Sequence, residues 1–352
     1  MRAIAHTFHA GASVSGRQFG HHVDRPRQTP VPAMSSVAFV FPGQGSQSVG
    51  MGKLLAMASP AAADVFAQAD EALGEPISEL AWEGPAESLD RTENAQPALL
   101  ATSIAYLAAL RERWGADAAR PAFAAGHSMG QYSALVAAGA LSLDDGIRLV
   151  RARGRLMQAS GKNADGAMAA IIGLDEDALP ALIEQASRLG IFGIANRNSP
   201  GQVVVSGERS AIDASVDIAK TLGARRVVVL PVSVAAHSPL MATAAEGMRQ
   251  VLAPVTFRDP DPPLLANADA SPLTTGEACR AELVDHLTTG VDWIAAIERM
   301  TSAGVQTFIE IGPSRVLTGL IKRIAPDAEA VPVDDPSAPD QLSVPPVPAA
   351  AG

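Results

Sequence analysis

The chain has 352 residues, 47% of them hydrophobic and 18% charged, with a formal net charge of −10. That length and composition suit a large soluble domain plus a smaller one, and the acidic balance disfavours a nucleic acid partner because like charges repel. No apolar run approaches the ~18–20 residues of a membrane span, and the single cysteine, Cys279, excludes an internal disulfide framework or a cysteine zinc cluster while fitting a reducing compartment.

Residues 1–35 carry Arg2, Arg17, Arg25 and Arg27 against one acid, Asp24, and show no sustained apolar period. They read as a disordered leader or as sequence upstream of a start at Met34, with a transit peptide as a further reading. "SVAFVFPGQGSQ" (36–47) is an apolar strand run broken at Pro42-Gly43, and helical patterns follow through Leu110. "PAFAAGHS" is a short strand entering a turn. "QYSALVAAGAL" is a helix ended by Gly139. Strands alternating with helices argue for a parallel α/β sheet. Residues 164–232 change rhythm to β-α-β-β-α-β, the split-βαβ order of a small ferredoxin-like domain inserted in the first. The first domain then resumes near Pro231 with a later strand and closing helix in "GVQTFIEIGPSRVLTGLIKRI". The expected division is a catalytic domain at 36–163 and 233–328, the small subdomain at 164–232, and a disordered tail at 329–352, rich in proline and alanine.

"GHSMG" (126–130) lies between the predicted strand and helix. Gly-x-Ser-x-Gly in that setting is a nucleophile elbow: the glycines permit a sharp turn, and Ser128 projects at the amino end of a helix whose N–H groups favour negative charge. The alternative is a plain Gly/Ser turn. A base is needed, and beyond the leader there are three histidines: His127, His237 and His286. His127 adjoins the serine on a turn where neighbouring side chains diverge, which makes it a structural turn residue. His237 sits in a loop at the domain junction, a favoured catalytic place, with a surface histidine as the alternative. His286, in "LVDHLTTG", reads as a structural helix-end residue. For an oxyanion, the main-chain N–H of Met129 is one donor and that of the glycine-flanked Gln44 a second. The spacing Gly43-x-Gly45-x-x-Ser48 lacks the third glycine of a dinucleotide loop.

"SLDDGIRLVRARGRLMQ" (142–158) is a helix with Ser142 and Asp145 as its capping signal. At about 100° per residue, Arg148, Arg151 and Arg155 share a face that reads as solvated, whereas Arg153 falls opposite, among Leu149, Val150, Leu156 and Met157. An inward arginine needs an anion. A protein carboxylate and a substrate carboxylate held bidentately are both open at this point.

The stretches "FVFPGQGSQSVGMG", "AQPALLATSIA", "GHSMGQYSALVAAGALSLDDGIRLVRARGRLMQ", "NSPGQVVVSG", "LPVSVAAHSPLM" and "IEIGPSRVLTGLIKRI" occur in an order that spans about residues 36–325. On these the chain resembles malonyl-CoA:acyl carrier protein transacylases and the acyltransferase domains of polyketide synthases. The resemblance implies an α/β-hydrolase-like core with parallel sheet and an inserted ferredoxin-like (βαββαβ) subdomain. It implies a ping-pong acyltransferase in which Ser128 takes a malonyl group from malonyl-CoA and acyl carrier protein collects it. It makes His237 the base, Gln44 and Met129 the oxyanion donors, and Arg153 the carboxylate ligand. A main-chain carbonyl at His286, where glutamine is usual, orients the base, and Asn196 and Asn198 line the cleft near the coenzyme A arm. No cofactor or metal is implied beyond the coenzyme A thioester, and the enzyme is expected to be a cytoplasmic monomer.

Besides His286, further departures from the family's usual residues bear on specificity. Met129 replaces leucine, isoleucine or glutamine, and Gln131 replaces glutamate. The selectivity stretch reads Val234-Ala235-Ala236-His237, so a methylmalonyl-selective enzyme is an alternative. A serine thioesterase or hydrolase shares the elbow and histidine but leaves Arg153 unexplained. A non-catalytic carrier-docking module is the remaining rival.

Overall fold

Val37–Phe41 is buried at all five positions, as a central strand covered on both faces must be. Its side chains alternate. Phe39 and Phe41 enter one apolar cluster with Leu99, Leu100 and Leu135, while Ala38 and Val40 enter another with Trp293, Ile297 and Phe308. The computed structural model describes residues 36–115, 120–163, 165–232 and 234–337, so the expected leader at 1–35 lies outside the described residues. Numbered along the chain, the strands are β1 (Val37–Phe41), β2 (Phe123–Gly126), β3 (Gly166–Ile172), β4 (Phe192–Ser199), β5 (Gln202–Glu208) and β6 (Arg226–Val229). They continue with β7 (Leu264–Leu265), β8 (Pro272–Leu273), β9 (Val291–Asp292), β10 (Thr307–Ile311) and β11 (Glu329–Val333).

The larger sheet has the order β11-β10-β1-β2-β7-β8 and is parallel except for the β7–β8 pair. The molecule is therefore a mixed α/β fold built on a parallel sheet. The second sheet has the order β6-β3-β5-β4-β9. Its first four strands are antiparallel neighbours, and the helices Leu179–Ser187 and Arg209–Thr221 pack on one face through Leu182 and Ile212 against Ile171 and Val205. The turn between β4 and β5 places Gly201 at φ 68°, where glycine meets no Cβ penalty. The fifth strand, β9, comes from beyond 233 and pairs in parallel with β4, so the second sheet is stitched to the flanking chain.

Two expectations are corrected. The tail at 329–352 was expected to be disordered, yet β11 lies within it as an edge strand with Ala330 and Val333 buried. Pro332 is tolerated there because an edge strand leaves one row of N–H groups unpaired. Tyr106 Oη donates to the Asp334 carbonyl at 2.8 Å and Arg315 Nε to Asp334 Oδ2 at 2.6 Å, which fixes the chain past the strand. The second correction is Arg151. It is not solvated but 6% exposed, donating to Asn94 Oδ1 and, at 2.9 Å, to Glu75 Oε2. The helical wheel gave the direction of Arg151 correctly but could not show that residues 75 and 94 cover that face. Ser142 caps the helix Leu143–Asn163 as read, its Oγ accepting from Asp145 N–H at 3.1 Å.

Candidate active site

The run from β2 into the helix Gly130–Ala137 makes a turn that only these residues permit. A Cβ on Gly126 would lie 1.9 Å from the Gly130 carbonyl carbon, and one on Gly130 would lie 2.2 Å from the Phe41 oxygen. Ser128 at the apex has φ 54°, a left-handed conformation that costs a non-glycine residue about 1 kcal/mol or more. One side chain holds it there. Asn267, just past β7 and 4% exposed, accepts the Ser128 N–H on Oδ1 at 2.9 Å and donates Nδ2 to the Gly126 carbonyl at 3.1 Å. His127 points away as expected: Nε2 meets Asn198 Oδ1 at 2.8 Å, and the ring packs edge-on to Trp293.

His237 Nε2 lies 2.8 Å from Ser128 Oγ. Its Nδ1 faces two carbonyl oxygens, His286 O at 2.6 Å and Thr289 O at 3.0 Å. Carbonyls only accept, so Nδ1 carries the proton and Nε2 presents a lone pair to the serine hydroxyl. The main chain at His237 is also left-handed, φ 59°, with its N–H donated to Leu287 O at 3.1 Å. Burial, then the Arg153 charge, pull the imidazole pKa down to about 4, against the carbonyl of His286. The ring is neutral at pH 7 and competent as a base.

Arg153 is 1% exposed and reaches the serine hydroxyl, with Nη2 3.2 Å from Ser128 Oγ. No carboxylate among the described residues pairs with it, and its Nε has no partner. Its Cζ lies 5.9 Å from the Tyr132 ring centroid. Burial lowers its pKa, partly offset by Tyr132. The cation and the dyad open on a cavity of about 500 Å³ that Gln44, Asn196, Asn198, Met157 and Ala236 also line.

The loop carrying Gln44 packs on the elbow, since a Cβ on Gly43 would sit 2.6 Å from His127 O. The main-chain N–H groups of Gln44 and Met129 have no acceptor among the described residues, as donors reserved for a ligand oxygen would. Asn196 and Asn198 sit on β4 at the cavity wall. The His286 carbonyl lies at His237 Nδ1, the contact expected from the resemblance. The His286 ring is fully buried without a partner on either nitrogen, and desolvation holds its pKa well below the usual value. Asn267, Thr289 and Glu282, which grips Asn267, carried no motif. No helix among the described residues is long and apolar enough to cross a membrane, and no group of three or more His, Cys, Asp or Glu side chains among them could hold a metal.

A hydroxyl on a strained strand–helix turn, within reach of a neutral imidazole, is equipped to accept an acyl group; a bare cation beside it favours one that bears its own anion. The chain belongs to the acyl transferase domain family, whose pattern matches residues 38–335. It is 44% identical over 304 residues to the malonyl CoA-acyl carrier protein transacylase of Bacillus subtilis, covering 86% of this chain and 95% of that protein. Against the Escherichia coli K12 protein of the same name it is 43% identical over 305 residues, 87% and 98% of the two chains. The crystal structure of the acyl-carrier-protein-S-malonyltransferase from Bartonella henselae superposes with a TM-score of 0.84 at 43% identity, covering 88% of this chain and 98% of that one. A malonyl-transacylase solved in complex with its type II PKS acyl-carrier protein gives 0.83 at 41% identity, covering 87% and 98%.

Proposed function

We propose that the chain transfers malonyl from malonyl-CoA to the phosphopantetheine thiol of acyl carrier protein through a malonyl-Ser128 ester, in fatty acid or polyketide synthesis. Ser128 Oγ attacks the thioester carbonyl while His237 Nε2 takes its proton. Gln44 and Met129 N–H groups receive the oxyanion, and the tetrahedral adduct expels coenzyme A, protonated by His237. In the second half-reaction His237 takes the carrier thiol's proton, the thiolate attacks the ester, and Ser128 recovers the proton. His286 O and Thr289 O keep the imidazole in the required tautomer, Arg153 holds the malonyl carboxylate, and Asn196 and Asn198 flank the coenzyme A arm. No cofactor takes part. The large sheet is read as an α/β-hydrolase-like core and residues 164–232 as its inserted ferredoxin-like subdomain, in a cytoplasmic monomer.

The observation that carries this reading is Arg153: a buried guanidinium 3.2 Å from Ser128 Oγ with no protein carboxylate to neutralise it. A hydrolase of neutral esters has no use for that charge. The test is intact mass after incubation with malonyl-, methylmalonyl- and acetyl-CoA, followed by acyl carrier protein. A malonyl adduct discharged by the carrier supports the proposal; release of free malonate at equal rates with and without carrier refutes it in favour of a hydrolase. Ala236 is a small side chain on the cavity wall, so a methylmalonyl adduct of equal yield would assign the broader substrate.

A further inference from the structure

We propose that Glu282 is a positioning residue for the nucleophile, fixing through Asn267 the turn that carries Ser128. The proposal rests on the reading of Ser128 as the acyl acceptor. Glu282 Oε1 accepts the main-chain N–H of Asn267 at 2.6 Å, and the Asn267 carbonyl accepts from Asp292 N–H at 2.7 Å. With its main chain held on both sides, Asn267 presents its amide at a fixed place. That amide ties the two ends of Gly126-His127-Ser128, one end on Oδ1 and the other on Nδ2. Ser128 sits in a left-handed conformation that relaxes if the N–H is released.

The helix Gly276–Asp285 thereby serves both partners of the dyad. Glu282 holds the serine turn, and one helical turn later the carbonyl of His286, its C-cap, holds the base. The 2.8 Å approach of Ser128 Oγ to His237 Nε2 is thus set from one end of a single helix.

A carboxylate is a costly choice for this task. Glu282 is 8% exposed, and burial first, then Asp269 and Asp285, raise its pKa to about 7 against the pull of the Asn267 N–H. Burial first pushes the Tyr132 and Cys279 pKa values up, and the Glu282 charge adds to both. An apolar residue would avoid that penalty but leave the Asn267 N–H buried and unpaired. The ionised form is the stronger acceptor, so the clamp tightens as Glu282 loses its proton.

The experiment measures malonyl-enzyme formation by rapid quench between pH 5.5 and 8.5 for the wild type, Glu282→Gln and Glu282→Ala. The wild type should gain rate on a limb centred near pH 7. Glu282→Gln, a neutral acceptor like the protonated acid, should lose the limb and run at every pH near the wild type's rate at pH 5.5, above Glu282→Ala. Glu282→Ala should be slower by about 10-fold with unchanged KM and an unchanged malonyl-to-acetyl preference. A limb that persists in Glu282→Gln, or an alanine variant as fast as the wild type, overturns the proposal. Amide hydrogen exchange of the peptide bearing Ser128 reads the clamp without substrate: faster exchange in Glu282→Ala supports it and unchanged protection refutes it. Failure of the functional reading has a different signature, transfer that survives in Ser128→Ala.

Discussion

Replacing Arg153 by alanine should reverse the acyl preference of the enzyme. The guanidinium is 1% exposed and has no carboxylate partner among the described residues, so a substrate carboxylate meets it in a dehydrated setting. A hydrogen bond to a charged group there is worth ~1.5–3 kcal/mol, and a bidentate pair ~3–6 kcal/mol. At ~1.4 kcal/mol per factor of ten, kcat/KM for malonyl-CoA should fall by ~10²–10⁴. Acetyl transfer should rise, because an acetyl group now stands against a bare cation that the alanine removes. Arg153→Lys keeps the charge without the fork and should lie between. The assay is steady-state transfer to acyl carrier protein from each thioester. A malonyl-to-acetyl ratio in Arg153→Ala within about threefold of the wild type would refute the argument and make Arg153 structural.

The His237 pKa of about 4 predicts that its contribution to kcat/KM is flat above pH 5 and falls as pH drops through 4. The matching limb in kcat should lie higher, since a bound carboxylate offsets the Arg153 charge that lowers the imidazole. Stability has its own window: folded His237 titrates near 4 and an unfolded histidine near 6.5, so the unfolded chain binds more protons between them. Acidification across that range should remove up to ~3 kcal/mol, and thermal melts of wild type and His237→Phe should converge as pH falls. Gly126→Ala, whose new Cβ would lie 1.9 Å from the Gly130 carbonyl carbon, should lose the folded elbow, seen as a melting temperature lowered by many degrees or as insoluble protein; a native melt would contradict the packing.

Ser128 was legible because a sharp turn needs glycines in sequence, and Arg153 because an arginine on an apolar helical face is visible on a wheel. The β-α-β-β-α-β rhythm of 164–232 was legible for the same local reason: each element declares its own period. What escaped was decided by contacts distant in sequence. Arg151 looked solvated because its partners, Glu75 and Asn94, belong to other elements. β9 has two residues and exists only because β4 accepts it. β11 was absorbed into a tail read as disordered from its proline and alanine content, although Pro332 suits an edge strand. Asn267 follows a two-residue strand with no motif, and 139 positions separate it from the serine it holds. A single sequence offers no periodicity from which that contact could be read.

The charge arrangement selects substrate twice under the proposed mechanism. At entry, a carboxylate pairs with Arg153 and a neutral acyl group leaves it bare. During transfer, the same pairing acts on the base. Burial first, then the unpaired charge of Arg153, with a smaller push from His127, lower the His237 pKa to about 4. A malonyl carboxylate seated on Arg153 cancels the second, so the imidazole grows more basic while the ester is loaded. That moves it toward the pKa of the thiol whose proton it must take, which favours proton transfer. An acetyl ester provides no such correction and leaves a weak base facing the carrier. Discrimination against neutral acyl groups therefore does not rest on binding alone, and an acetyl group that slips through the first step should be discharged slowly in the second.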